Sequence, residues 1–188
     1  MYIARILYPV KVLGPGNRIG IWFAGCHHKC KGCSNPELWK ADEKYFVTIE
    51  QVEKLIRTVA VGHEIDGFTI TGGDPVEQAD ELTNLLTRVA DISQDVILYT
   101  GYQIKELTSE TQIKLLDRIS VLIDGEYKEE LNDGAFLRGS SNQIIHILND
   151  QYFDKYEKYI RGNHNEIQNF MINNEVISVG IHNKEFRF

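Results

Sequence analysis

Apolar positions recur along the chain in short runs, separated by polar or glycine-rich turns, and the runs alternate between two periods. Ile19-Gly20-Ile21-Trp22-Phe23 is unbroken and predicts a buried strand. From Thr48 to Val59 the period is helical: Ile49, Val52, Leu55, Ile56 and Val59 share one face, and Thr48 with Gln51 fits a capping box. Gly67-Phe68-Thr69-Ile70 predicts a second short strand that ends at Thr71-Gly72-Gly73-Asp74-Pro75. There Asp74 suits an N-cap, with Pro75 at the first helical position. Val76, Ala79, Leu82, Leu85, Leu86 and Val89 mark the inner face of the helix that follows. Val96-Ile97-Leu98-Tyr99 is a third strand, followed by Thr100-Gly101-Tyr102. A helix over 110–119 leads to Val121-Leu122-Ile123 and the turn Asp124-Gly125, and a further strand is expected over 143–148.

Strands alternating with helices imply an α/β fold with a parallel sheet and crossover connections. In such sheets ligands bind beyond the carboxyl ends of the strands. Each predicted strand here is followed by a distinctive turn, so the topology carries these turns to one rim although they are far apart in sequence. Beyond Asn149 the pattern changes. A short aromatic and charged helix is expected over 151–161, then two strands over 166–181 around a turn at Asn173-Asn174. The reading is a core over 1–149 and an appendage over 150–188 packed on it.

The chain has 188 residues, with 20 Lys and Arg against 27 Asp and Glu, for a formal net charge of −7. That balance argues against general nucleic-acid or anionic-membrane binding, which needs a concentrated positive patch. No apolar run approaches the roughly 20 residues of a membrane span. The start, Met1-Tyr2-Ile3-Ala4-Arg5, lacks the layout of a secretory signal. A soluble cytoplasmic protein is expected. The three cysteines sharpen this, because all lie at Cys26, Cys30 and Cys33. An odd, tightly clustered set is no disulfide framework and points to a reducing compartment and to metal or redox chemistry.

The loop Gly25-Cys26-His27-His28-Lys29-Cys30-Lys31-Gly32-Cys33 has the spacing C-x3-C-x2-C. Three thiolates on one loop can hold three corners of a 4Fe-4S cube, and with no fourth cysteine one iron would stay open to a small molecule. Two alternatives stand beside this. One is a structural zinc site completed by His27 or His28, and the other is a set of free thiols.

Together with Gly72-Gly73-Asp74-Pro75 after the next strand, the cysteine loop resembles the radical S-adenosylmethionine (SAM) superfamily, and within it the activating proteins of anaerobic (class III) ribonucleotide reductase. The matching stretches are Gly14-Pro15-Gly16-Asn17-Arg18, Gly25 through Cys33, Asn35-Pro36-Glu37, Thr71 to Pro75, Tyr99 to Tyr102, Leu122 to Gly125 and Leu137-Arg138-Gly139-Ser140-Ser141-Asn142-Gln143. They occur in the family's order. The resemblance implies a partial (βα) barrel of the radical SAM type over 1–149, with a C-terminal helix and β-hairpin as its appendage.

The resemblance also implies that Cys26, Cys30 and Cys33 ligate three irons, while SAM chelates the fourth through its amino and carboxylate groups. One-electron cleavage of SAM would then give methionine and a deoxyadenosyl radical. Cofactors carry this chemistry; the protein binds, orients and excludes water. Gly72 and Gly73 would let the backbone approach the methionyl end of SAM; the alternative is a plain strand-to-helix turn. Asp74 would contact SAM or act only as a cap. Thr100 and Tyr102 would border the ligand or form a packed turn. Asp124 would bind the ribose or cap a turn. Arg138, with Ser140 in the same loop, would hold a carboxylate of SAM or of a partner, or sit in a solvated loop. His27 and His28 would shape the cluster loop, and Trp22, Phe23 and Trp39 would shield it.

The function so implied is an activase that takes a hydrogen atom from a glycine of the reductase's large subunit and leaves a glycyl radical. Two alternatives are radical SAM chemistry on another glycyl-radical enzyme or on a small molecule, as in 7-carboxy-7-deazaguanine synthases, and a non-enzymatic zinc or Fe–S module. Lys29 and Lys31 would steer an acidic electron donor such as flavodoxin, or are simply solvated. A homodimer is left open.

Overall fold

The computed structural model describes residues 1–162, 164–172 and 174–182. Six strands form one sheet in sequential order: β1 (Ile3–Val10), β2 (Arg18–Phe23), β3 (Gly67–Gly72), β4 (Val96–Tyr99), β5 (Val121–Asp124) and β6 (Ile144–Ile147). The four central strands β2 to β5 run parallel, while β1 and β6 pair antiparallel at the two edges. The all-parallel expectation therefore needs correcting to a mixed sheet. At the β1 edge a short loop causes this: Val10 and Arg18 are too close in sequence for a crossover helix, which needs a dozen or more residues. Strand β1 is absent from the sequence reading. Its buried positions, Ile3, Leu7 and Val10, do not alternate, and Pro9 interrupts it, as an edge strand tolerates.

The connections between the parallel strands carry α1 (Ile49–Ala60), α2 (Ala79–Arg88) and α3 (Glu110–Leu116). Helix α1 begins where the sequence indicated, with both bonds of the Thr48–Gln51 capping box made. All three helices pack on one face of the sheet, through Val52 and Ile56, Leu82, Leu85 and Leu86, and Leu115, against Ile19, Ile21, Phe23, Phe68, Ile70, Leu98 and Leu122. The alternate positions of the same strands, among them Trp22, Thr69, Ile97, Val121 and Ile123, face the other way.

That second face is covered by the C-terminal segment, α4 (Phe153–Gly162) and the hairpin of β7 (Ile167–Ile172) and β8 (Glu175–Gly180). Tyr156 of α4 packs with Ile97, Val121 and Ile123, and Val179 of β8 with Leu7, Val10, Leu13 and Trp22. With both faces covered, the central strands read as unbroken apolar runs. The hairpin turn sits where it was expected; Asn174 takes a left-handed backbone (φ 64°), and Asn173 lies outside the described residues. No helix among the described residues is long and apolar enough to cross a membrane.

Candidate cluster and cofactor site

The carboxyl ends of β2 and β3 are knitted together by backbone bonds. Gly73 N donates to Phe23 O at 2.7 Å and Asp74 N to Gly25 O at 2.7 Å, while Cys26 N donates to Trp39 O at 3.0 Å. Phe23 itself faces the helix-side core, so of the three aromatic residues expected to shield the loop only Trp39 lies beside it on the cavity. These bonds explain the glycine pair more directly than a ligand does. A Cβ on Gly73 would stand 2.2 Å from Gly25 O, and one on Gly72, whose φ is 108°, would stand 2.4 Å from the Phe23 backbone. Gly73→Ala must therefore push the cysteine loop away from β3. We expect it to lower stability by about 1–3 kcal/mol, the range for overpacking a tight contact, and to reduce iron incorporation. Denaturant unfolding and iron analysis check both.

A cavity opens over this junction, with about 810 Å³ of empty space counting its mouth, within the few-hundred-to-thousand Å³ range of small-molecule sites. Cys26, Cys30 and Cys33 all line it, together with Gly72, Gly73, Asp74 and Thr100. The backbone supplies donors to the sulfurs: Asn35 N lies 3.4 Å from Cys33 Sγ, and the Tyr127 amide reaches Cys30. Burial pushes the Cys26 thiol up to about 11, and raises Cys30 as well. Thiolates here therefore need a cation to hold them deprotonated.

Asp74 is 1% exposed and ties three loops together. Its carboxylate accepts from Val76 N at 3.1 Å, from Thr100 Oγ1 at 2.9 and 3.0 Å, and from Gly101 N at 2.9 Å. His28 Nε2 lies 3.2 Å from the same carboxylate, as an ion-pair contact rather than an aligned hydrogen bond. Its other nitrogen lies 3.1 Å from Glu126 Oε1. Asp74 first and Glu126 next hold the ring's pKa up to about 9, against the opposing effect of burial, so it is an imidazolium at neutral pH.

The other expected residues stand behind the cavity wall. Tyr102 packs edge-on against His28, with centroids 4.5 Å apart. Asp124 Oδ2 accepts from Ile104 N at 2.7 Å and pairs with His146. Ser140 is fully buried, its hydroxyl accepting from Lys128 N at 3.1 Å. Arg138 pairs with Asp133 at 3.2 Å and donates to the carbonyls of Ser141 and Gln143. The sequence reading gave no role to Gln143, which lines the cavity and holds the turn through Gly139 N, Ser140 N and Gly125 O. Its signals were its place at the end of the matching Leu137–Gln143 stretch and a polar residue heading an apolar strand.

Residues 12–146 match the family model of a 4Fe-4S single cluster domain, a span that contains all three cysteines. The anaerobic ribonucleoside-triphosphate reductase-activating protein of Vibrio cholerae is 36% identical over 147 residues, 74% of this chain and 94% of that protein. Its counterpart in Salmonella typhimurium is 34% identical over 148 residues, 75% of this chain and 96% of that protein. That of enterobacteria phage T4 is 35% identical over 144 residues, 74% and 90% of the two chains.

The chain belongs to the family of anaerobic ribonucleoside-triphosphate reductase-activating proteins.

The donor set suits the cluster of this activating-protein family. Both ring nitrogens of His28 face carboxylates, while His27 Nδ1 lies 2.8 Å from Glu77 Oε2, which leaves His27 Nε2 as the one nitrogen of the pair placed to ligate a metal. Among the described residues no three His, Cys, Asp or Glu side chains converge on a single metal-ion position. Thiols spread around one cavity suit a group with a separate iron for each.

Proposed function

We propose that this chain is a radical SAM activase, in which Cys26, Cys30 and Cys33 hold a 4Fe-4S cluster and the target is a glycine of the large subunit of anaerobic ribonucleotide reductase. The observation that carries the proposal is the convergence of the three thiols with Gly72, Gly73, Asp74 and Thr100 on one cavity at the carboxyl ends of the parallel strands. When bound, the cluster and SAM supply one-electron cleavage of the sulfonium carbon–sulfur bond and a radical able to take a hydrogen atom from the glycine.

The chain's own residues do the rest. The glycine pair brings the backbone of the second loop flush against the cysteine loop and leaves the cavity wall free of side chains there. Asp74 acts by position: its acceptor sites are filled by Val76, Thr100, Gly101 and His28, so it fixes the loops that would surround SAM. Tyr102, Asp124, Arg138 and Ser140 act in the same indirect way. Tyr127, Trp39, Ser34, Asn35 and Thr71 are among the side chains that line the cavity and would meet the ligand.

The same reading takes the sheet as a partial barrel, supported by its sequential strand order and by all crossover helices lying on one face. It takes 1–149 as the core and 150–188 as an appendage, supported by a family match that stops at 146. An acidic one-electron donor such as flavodoxin would approach the outer side of the cysteine loop, where Lys29 and Lys31 stand, the latter 3.6 Å from Glu129. Three unpaired thiols fit a reducing cytoplasm.

The test is anaerobic. Reconstituted, reduced protein with SAM and the same organism's reductase should give a glycyl-radical doublet in the EPR spectrum that depends on every component. Deoxyadenosine formed without a doublet would overturn the target while leaving the SAM chemistry in place.

A further inference from the structure

The cofactor cavity does not end at the sheet. Asn35, Thr71, Tyr99 and Ile181 also line a second chamber, with about 550 Å³ of empty space, that runs beneath β8 on the face opposite the helices. Its sheet side is Leu13, Trp22 and Thr71, and its other wall is the run from Ser178 to His182. Of that run Ser178, Val179 and Gly180 belong to β8 and Ile181 and His182 follow it, so the end of the strand and the main chain beyond it border the space. The edge of β8 away from β7 has no strand beside it among the described residues, where β8 pairs with β7 alone.

The wall is held firmly. Gln168 of β7 accepts from Lys11 N at 2.9 Å and donates to Pro9 O at 2.7 Å, and Asn132 donates to His182 O at 3.0 Å. Val179 is 2% exposed against the core of β1 and β2. This wall lies wholly outside residues 12–146 of the family match, so it is an addition of this chain to the shared cluster domain.

The chemistry of the chamber is neutral. No Lys, Arg, Asp or Glu lines it; the polar groups are the Asn35 amide, the hydroxyls of Ser34, Thr71, Tyr99 and Ser178, and the His182 imidazole, whose pKa burial lowers, beside apolar Leu13, Trp22 and Val179. A phosphate or carboxylate would meet no Lys or Arg there, and burying a charge without a charged partner is costly. An extended main chain, which needs neutral donors and acceptors and a free strand edge, is well matched.

We propose that β8 and the opposing sheet face form a receiving chamber for an extended, uncharged stretch of polypeptide, the glycine-bearing segment of the target, and that Ser178 and Ile181 determine which segment fits. This rests on the activase reading and adds to it where the target enters and which residues select it.

The test is anaerobic calorimetry on the reconstituted protein with SAM. The probe is a short peptide copied from the glycine segment of the same organism's reductase, compared with the same peptide carrying proline beside the glycine. Proline removes a main-chain donor and is excluded from a paired strand, so binding should weaken about tenfold or more. Ser178→Leu, which fills the chamber, should weaken the native peptide by about the same factor and lower the glycyl radical formed per SAM cleaved. Equal binding of the two peptides to the wild-type protein, or no saturable binding of the native one, overturns the chamber whether or not the leucine variant folds. A glycyl-radical doublet on the full reductase alongside either result would leave the activase reading standing; loss of the doublet overturns that reading.

Discussion

Cys30→Ala is expected to yield a folded protein that no longer holds its cluster. Cys30 sits in the exposed loop between β2 and the turn at Asn35, and it belongs to none of the hydrophobic clusters that make up the core. Its removal should cost the fold little, within about 0.5–1 kcal/mol for a residue away from the core. The cluster loses one of three protein ligands and has no spare thiol to recruit, since the chain's other cysteines are Cys26 and Cys33. Iron and sulfide should fall from about four of each per chain to a small fraction, and SAM cleavage should fall with them. Iron analysis alongside a denaturant melt separates the two effects. A full iron load in the variant would remove Cys30 from the ligand set, and an unfolded variant would assign the loop a structural role instead.

Asp95→Ala should be the most destabilising single change in the molecule. Asp95 lies at the amino-terminal edge of the sheet, just before β4, and is 1% exposed. Its carboxylate pairs with the fully buried Arg18 at 3.2 Å and with Lys155 Nζ at 2.6 Å, and accepts from the Tyr156 hydroxyl. Truncation strands the Arg18 charge and leaves the Tyr156 hydroxyl unmatched. Removing one partner of a buried pair costs about 3–5 kcal/mol. The lower end applies here, because Arg18 keeps the carbonyls of Phe68 at 2.6 Å and Asp95 at 3.0 Å and the Thr69 hydroxyl at 2.8 Å.

Tyr156→Phe loses one neutral-to-charged hydrogen bond and should cost about 1.5–3 kcal/mol. Both variants loosen α4, so proteolysis should release the C-terminal segment before the core. Urea unfolding measures the ranking; a loss below about 1 kcal/mol for Asp95→Ala would show that the cluster of charges carries no net stability. This network also explains why Gly14 precedes Arg18 in the Gly-Pro-Gly-Asn-Arg stretch. A Cβ on Gly14 would stand 2.7 Å from the Arg18 side chain and 2.4 Å from Ile97. The stretch serves the far end of the sheet, away from the cysteines.

The local elements were readable because their signals are local. The apolar runs of β2 to β5, the capping box at Thr48 and the cap of Asp74 on Val76 each depend on residues within a few positions of one another. The spacing of the three cysteines likewise placed them on one short loop. Strand β1 escaped because an edge strand interrupted by Pro9 has neither an unbroken apolar run nor clean alternation.

By itself, then, the sequence determined the alternating strands and helices, the rim at their carboxyl ends and the thiol chemistry of that rim, since periodicity, caps and ligand spacing are short-range properties. Only the tertiary structure decided the direction of the edge strands and the partners that Tyr102, Asp124, Arg138 and Ser140 find in neighbouring loops. It also decided that Asp74 meets Thr100, Gly101 and His28, and that the C-terminal hairpin packs on the sheet face opposite the helices. Each of these depends on which buried polar group finds which partner across tens of residues. That competition among distant donors and acceptors is settled only when the two faces of the sheet are packed.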